Sequence, residues 1–124
     1  MRTLYILAAL PCLVGSVAFA QQTQTAAPKG GAGKVCLSSP WGRYGRTTRF
    51  VIDPNGTVHL FENATGQSWG TYPGALAASG HLLIRGAGTA GTYDLTSSGD
   101  GFQGTIVVTN YGVNDRITLH CTAQ

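Results

Sequence analysis

The chain has 124 residues, of which 43% are hydrophobic and 10% are charged, and it contains 18 glycines. This length accommodates one domain with one modest core and excludes the two-lobed architecture that many cofactor enzymes need, so we expect no cofactor. The formal net charge of +3 comes from eight basic and five acidic residues. This balance is too even for a typical nucleic-acid-binding protein, and we predict no nucleic-acid partner.

Residues 1–20 have the features of a secretory signal peptide. Arg2 provides a positive start, residues 4–17 are almost wholly apolar, and Ala18-Phe19-Ala20 matches the small-x-small pattern that a signal peptidase cuts. The apolar stretch is shorter than the ~20 residues that span a bilayer, and no basic flank follows it. We therefore predict a mature chain that starts at Gln21, has no membrane span and is periplasmic or secreted.

Residues 21–33 contain no aromatic residue and no aliphatic side chain larger than that of alanine, which predicts a flexible tether before a single domain at residues 34–124. Cleavage of the leader removes Cys12, so the mature chain keeps Cys36 and Cys121, one near each end of that domain. Because exported proteins fold in an oxidising compartment, these two cysteines are predicted to form a disulfide.

From residue 34 onward, short apolar or alternating runs are separated by turn residues, and no stretch keeps a helical period. This pattern predicts an all-β fold. Eight strands are expected, at residues 34–39, 46–53, 57–63, 68–72, 81–85, 92–97, 102–109 and 115–122. Alternation along the strands assigns these inward positions: Phe50, Ile52, Leu82, Ile84, Tyr93, Leu95, Ile106, Val108, Ile117 and Leu119.

Eight short strands in sequence favour an antiparallel meander that closes into a barrel, because closure removes the exposed edges of a sheet. The first and last strands then become neighbours, and Cys36 and Cys121 lie in those two strands. A two-sheet β-sandwich is the alternative, and it places the two cysteines almost as close together.

Two local features resemble a known group of barrels. Trp41-Gly42 follows the first strand, and a Gly-Thr-Tyr sequence occurs at residues 70–72 and again at 91–93. This pattern is similar to small calycin-type barrels, of which avidins, lipocalins and periplasmic protease inhibitors are examples. The resemblance concerns architecture and implies a barrel of about eight strands. No biotin site is carried over, since the tryptophans and the polar set of the avidin site have no counterparts here.

Three patterns that suggest chemistry lack the structural context that the chemistry needs. Ser68 occupies the centre of a G-x-S-x-G sequence, but a strand follows it where a nucleophile elbow needs a helix. Residues 86–91 match G-x-G-x-x-G, yet another strand follows in place of the helix that binds a dinucleotide. The three histidines, His59, His81 and His120, have no metal-ligand spacing. We therefore predict no catalytic or metal site and expect a protein that is not an enzyme.

The densest group of aromatic and basic residues lies in and after the first turn. Such side chains are suited to bind an anionic glycan, a lipid phosphate or a carboxylate of a partner protein. The candidate residues are Trp41, Arg43, Tyr44, Arg46 and Arg49. In the alternative interpretation, Trp41 closes a barrel end and the arginines stay solvated. A second candidate surface, at residues 69–74, contains Trp69 and Tyr72.

These observations favour an exported, non-catalytic binding module that presents loops to a protein, a glycan or a lipid of the envelope, for example an enzyme that it inhibits. A carrier of a small apolar ligand is the alternative, and it requires an internal cavity lined by residues such as Phe50, Tyr93 and Ile106. A secreted serine hydrolase that uses Ser68 is the third hypothesis. The sequence indicates no particular oligomeric state.

Overall fold

The computed structural model describes residues 33–86 and 91–124, which form eight antiparallel strands in a nearly closed barrel. The predicted leader, and the predicted tether apart from Gly33, lie outside these residues. A 3-10 helix at Thr109–Tyr111 precedes the last strand, and the described part of the chain has no α-helix. The strands are β1 (Lys34–Ser38), β2 (Thr48–Ile52), β3 (Val58–Glu62), β4 (Ser68–Tyr72), β5 (His81–Arg85), β6 (Thr92–Ser98), β7 (Gly101–Val108) and β8 (Val113–Ala123). In that part of the chain, no helix has the length and apolar character needed to cross a membrane.

All eight predicted strands are confirmed, and every predicted inward position is buried. The main differences are at strand ends. Strand β2 begins at Thr48 rather than at residue 46, because Arg46 pairs with Trp41 inside the preceding turn. Strand β8 begins two residues earlier than predicted, since Val113 pairs with Val108 at the end of β7.

The order of strands in the sheet is β4-β3-β2-β1-β8-β7-β6-β5. Each half of the chain is therefore a four-stranded meander of sequential neighbours, and the pairing of β1 with β8 joins the two halves. The predicted disulfide is present in this ladder, where Cys36 and Cys121 are direct partners. Among the ladders of residues 33–86 and 91–124, this is the one that pairs strands distant in sequence.

The barrel is not fully closed, because β4 and β5 lie at opposite ends of the strand order and do not pair with each other. The segment between them partly fills this seam. The Leu76 N–H donates to the Gly56 carbonyl at 3.1 Å, and the Ala77 N–H donates to the His81 carbonyl at 2.9 Å. The fold is thus the predicted barrel rather than the sandwich, with one seam held by loop hydrogen bonds.

The barrel interior is filled by packed side chains. The rings of Phe50 and Tyr93 meet edge to face with their centroids 5.2 Å apart, and both rings are fully buried, as is Ile106. Edge-to-face contact is a favourable aromatic geometry. The core also contains apolar residues that strand alternation had not assigned: Trp41, Val58, Leu60 and Phe102.

Candidate binding cleft

Trp41 closes one end of the barrel. Its side chain is only 4% exposed, and its indole N–H donates a hydrogen bond to the Thr48 hydroxyl at 3.0 Å. The Thr48 hydroxyl is also hydrogen-bonded to the Tyr93 hydroxyl at 2.9 Å, and burial raises the pKa of Tyr93. The buried indole N–H and the two buried hydroxyls therefore all have hydrogen-bond partners, as a low-dielectric interior requires.

The turn at residues 41–46 is fixed by backbone hydrogen bonds and one side-chain contact. Trp41 and Arg46 each donate an N–H to the other's carbonyl at 2.9 Å. Gly42 has a φ of 73°, a left-handed conformation that glycine adopts without a steric penalty. The Gly42 N–H donates to the Asp115 carboxylate at 2.6 Å, which ties the turn to β8. Tyr44, at the tip of this turn, is 79% exposed.

The connection between β7 and β8 lies beside this turn. Gly112 directly follows the 3-10 helix, and its left-handed φ of 65° turns the chain back into β8. The side chain of Tyr111 is 65% exposed, although it is a large aromatic residue. Sequence reasoning missed this segment, because the pairing of β1 with β8 is what brings it next to residues 41–46. The sequence feature that could have indicated this segment is Tyr111, a tyrosine in a polar turn that contains glycine.

A cleft of about 690 Å³ lies between these two segments, and we call it the rim cleft. Its volume falls within the range of roughly 300–1,000 Å³ that is common for ligand sites. One wall is the turn that carries Arg43 and Arg46, two of the three candidate arginines, and the other is the β7–β8 connection. Its lining residues are Trp41, Gly42, Arg43, Tyr44, Arg46, Asn110, Tyr111, Gly112, Val113 and Asp115.

Among the residues that the structure describes, no carboxylate lies within ion-pair distance of the guanidinium groups of Arg43 and Arg46. In the described part of the chain, the ion pairs within 4.0 Å are His59 with Asp53 and His81 with Asp94. The Arg43 guanidinium lies 5.9 Å from the centre of the Tyr44 ring, a distance compatible with a cation–π contact. Both arginines are exposed, so their charges are accessible to an anion from solvent.

The predicted candidate residues divide into two groups in the structure. Trp41, Arg43, Tyr44 and Arg46 line the rim cleft, and the remaining three do not. The Arg49 guanidinium lies 4.5 Å from the centre of the Phe61 ring, which faces the same side of the neighbouring strand. Trp69 and Tyr72 both pack against the core. The Trp69 ring centroid lies 6.3 Å from that of Trp41, and the Tyr72 hydroxyl donates to the Trp69 carbonyl at 2.7 Å.

Ser68 is an exposed residue at the start of β4, and its hydroxyl accepts a hydrogen bond from the Gly70 N–H at 3.3 Å. No histidine is hydrogen-bonded to Ser68 among the residues that the structure describes. The His59 ring is instead placed between Asp53, at 2.9 Å, and Thr71, at 3.0 Å. The G-x-G-x-x-G sequence falls partly on residues 87–90, which lie outside the described residues, and β6 follows it.

Glu62 is a buried carboxylate at the same end of the barrel. Its side chain is 7% exposed, and one carboxylate oxygen accepts hydrogen bonds from the hydroxyl and the N–H of Thr65, each at 2.8 Å. These bonds cover the carboxylate with its own turn at the barrel rim. They lower the pKa of Glu62 below its ordinary value of 4.5, with a smaller contribution from the charge of Arg46.

This lowered pKa gives a pH-dependent contribution to stability. The contribution is present above the unfolded-state pKa and is lost as the pH falls through the folded-state pKa. We expect Glu62→Gln to lower the melting temperature at pH 7, and the difference from the unmodified protein to shrink below about pH 4. Thermal melts of both proteins at pH 7 and pH 3 measure it. An equal difference at the two pH values would contradict this assignment.

Comparisons of the chain with protein-family models, curated proteins and solved structures find no match. A fold alone does not define a function, since small barrels serve many unrelated ones. Among the described residues there is also no group of three or more histidine, cysteine, aspartate or glutamate side chains placed to hold a metal ion.

Proposed function

We propose that the protein is an exported, non-catalytic binding module whose rim cleft receives an anionic group of an envelope or extracellular macromolecule. The observation that carries this proposal is that two exposed arginines and two exposed tyrosines line the same cleft. Arg43 and Arg46 lie in one wall and form no ion pair with a carboxylate of residues 33–86 and 91–124, and the exposed Tyr44 and Tyr111 line the same cleft.

The two tyrosines are unusual among residues 33–86 and 91–124, because the other large apolar side chains there are mostly buried. Three large hydrophobic residues are exposed in the described part of the chain, and two of them line the same cleft. Exposed aromatic residues gathered at a concave site are typical of binding surfaces. A guanidinium group matches the geometry of a carboxylate or a phosphate with two parallel hydrogen bonds. Together these groups are suited to an anionic ligand.

Two observations weigh against the other functions considered. The residues that a barrel carrier would need as cavity lining, Phe50, Tyr93 and Ile106, are fully buried within the packed core. Ser68, which a hydrolase would need as nucleophile, is hydrogen-bonded to backbone in its own strand. Export is supported by the disulfide, which is consistent with an oxidising periplasmic or extracellular location.

The proposal predicts a charge-dependent binding that is confined to the cleft. We expect Arg43→Ser/Arg46→Ser to weaken binding of the protein to immobilised polyanions by about tenfold or more and to flatten the dependence of binding on salt. The matched control is Lys34→Ser/Arg116→Ser, which removes two exposed charges that do not line the cleft. Arg49 is left unchanged, because its contact with Phe61 gives it a structural role.

Two polymers serve as probes, polygalacturonate and polyglutamate, and binding is measured at several salt concentrations. Equal losses in the two double variants would show that net charge, and not the cleft, drives the interaction. Failure of the unmodified protein to bind either polymer would also contradict the proposal. Melting temperatures of both variants close to that of the unmodified protein establish that folding is intact, since all four side chains are exposed.

A further inference from the structure

The two walls of the rim cleft differ in chemistry, and this difference restricts the ligand. Arg43 and Arg46 provide hydrogen-bond donors with positive charge on one wall. The opposite wall contains Asn110 and the carboxylate of Asp115. One oxygen of Asp115 accepts the Gly42 N–H, and the other has lone pairs for a further donor.

A ligand that offers only acceptors, such as a phosphate or a sulfate, meets repulsion from Asp115. A ligand that has a carboxylate at one position and hydroxyl donors nearby satisfies both walls at once. The hydroxyls donate to Asp115 and Asn110, while the carboxylate accepts from Arg43 and Arg46. Sugars that carry a carboxylate have this arrangement of groups.

The strands around the cleft argue against an extended peptide as the ligand. Peptides commonly bind by adding a strand to the exposed edge of a sheet. The cleft is bordered by the turn between β1 and β2 and by the connection between β7 and β8, and each of these four strands already has a neighbour on both sides. A peptide therefore finds no free backbone edge there, whereas a sugar chain needs none.

The aromatic rings fit the same ligand. The faces of sugar rings present C–H groups, which pack on the apolar faces of tyrosine rings. Tyr44 and Tyr111 both line the cleft, and most of the surface of each is exposed, so both rings are available to pack on the sugar rings of a ligand.

From these observations we infer that the ligand of the rim cleft is an acidic polysaccharide of the uronic-acid type, held by Arg43 and Arg46 through its carboxylates and by Tyr44 and Tyr111 through its sugar rings. This inference rests on the proposed function, because it names the ligand class of the same site. It adds the requirements for hydroxyl donors and for ring stacking, which the proposed function does not contain.

Isothermal titration calorimetry with defined oligomers tests this inference. The probes are oligogalacturonate, alginate oligomers, hyaluronan oligomers, methyl-esterified oligogalacturonate, polyglutamate and vesicles that contain phosphatidylglycerol. We expect at least one uronic-acid oligomer to bind more tightly than polyglutamate and the vesicles, and methyl esterification to abolish binding of oligogalacturonate if that oligomer binds. Arg43→Ser/Arg46→Ser should weaken binding of the uronic-acid oligomer about tenfold or more.

Two further variants separate stacking and hydroxyl recognition from simple charge attraction. Tyr44→Ala/Tyr111→Ala is expected to weaken binding of the uronic-acid oligomer about tenfold and to leave binding of polyglutamate unchanged. Asp115→Asn keeps an acceptor for the Gly42 N–H and removes the negative charge. This substitution is expected to weaken binding of the uronic-acid oligomer severalfold and to strengthen binding of polyglutamate.

Several results would overturn the inference. Binding of polyglutamate or of the vesicles, but of no uronic-acid oligomer, with loss in Arg43→Ser/Arg46→Ser, would overturn the ligand class and leave the proposed function standing. Unchanged oligomer binding in Tyr44→Ala/Tyr111→Ala would likewise contradict the sugar assignment. Absence of binding to every probe would overturn both proposals. Melting temperatures of all variants confirm that each result concerns the site, since Tyr44 and Tyr111 are exposed.

Discussion

Replacement of both Cys36 and Cys121 by serine is expected to lower the free energy of unfolding by roughly 4 to 5 kcal/mol. The two cysteines are 85 residues apart in sequence. Because the bond closes this long loop, it lowers the conformational entropy of the unfolded chain and so stabilises the folded state. For a domain of this size such a loss is a large share of the ~5–15 kcal/mol that stabilises folded proteins.

The position of the bond in the sheet increases its importance. The other ladders of the described strands are formed between sequential neighbours, and the pairing of β1 with β8 alone joins the two four-stranded halves through hydrogen-bonded strands. Without the bond, that ladder must form against the full entropy of loop closure. We therefore expect the double variant to unfold at a much lower urea concentration, with both halves unfolding together.

Urea unfolding of the oxidised protein, of the same protein with its disulfide reduced and of Cys36→Ser/Cys121→Ser measures this effect. The reduced protein is the control for the substituted side chains, because it lacks the bond and keeps the sulfur atoms. The melting temperature should fall by well over roughly 10 °C in both cases, since about 4–8 °C corresponds to 1 kcal/mol in such a domain. A loss of less than about 1 kcal/mol would show that β1 and β8 hold together without the bond.

The second large effect is expected for Trp41→Ala, which removes the side chain that closes the barrel end. Deletion of a buried tryptophan ring costs roughly 3 to 5 kcal/mol through lost burial and the cavity that remains. Here the substitution also leaves the Thr48 hydroxyl without its indole donor and exposes the Trp69 ring that packs beside Trp41.

Two comparisons separate these contributions. Trp41→Phe retains much of the ring and loses the hydrogen bond to Thr48, so a smaller loss of stability is expected than for Trp41→Ala. Tyr44→Ala, in the same turn, should change the free energy of unfolding by less than about 0.5 kcal/mol because Tyr44 is exposed. Urea unfolding of the three variants provides the measurement. Equal small losses for all three would show that Trp41 does not close the barrel.

The fold was largely predictable because alternation within a strand is a local property of the sequence. Phe50 and Ile52, for example, alternate with polar or partly exposed neighbours, and burial follows from that pattern. The seam between β4 and β5 was not predictable. It depends on the hydrogen bonds of Leu76 to Gly56 and of Ala77 to His81, which are contacts set by the tertiary arrangement.

The candidate site was predictable only in part, for a physical reason. Arg43, Tyr44 and Arg46 lie in one turn, so that nearness in sequence became nearness in space. Arg49 is also near in sequence, but it lies within β2, where its side chain stacks on Phe61 of the neighbouring strand instead of lining the cleft. Tyr111 is far away in sequence and reaches the cleft through the pairing of β1 with β8. The second wall of the cleft therefore cannot be predicted without knowledge of how the strands of the sheet pair.

A titration of the ¹⁵N-labelled protein with the anionic oligomer that binds it best, followed by amide chemical shifts, tests the role of the rim cleft in binding. We expect the largest shift changes on both walls of the cleft, at Gly42, Tyr44, Arg46, Tyr111 and Gly112. Changes on the turn alone would remove the second wall from the site. Changes concentrated at residues 69–74, or at the seam between β4 and β5, would contradict binding at the rim cleft and place the binding site elsewhere on the barrel.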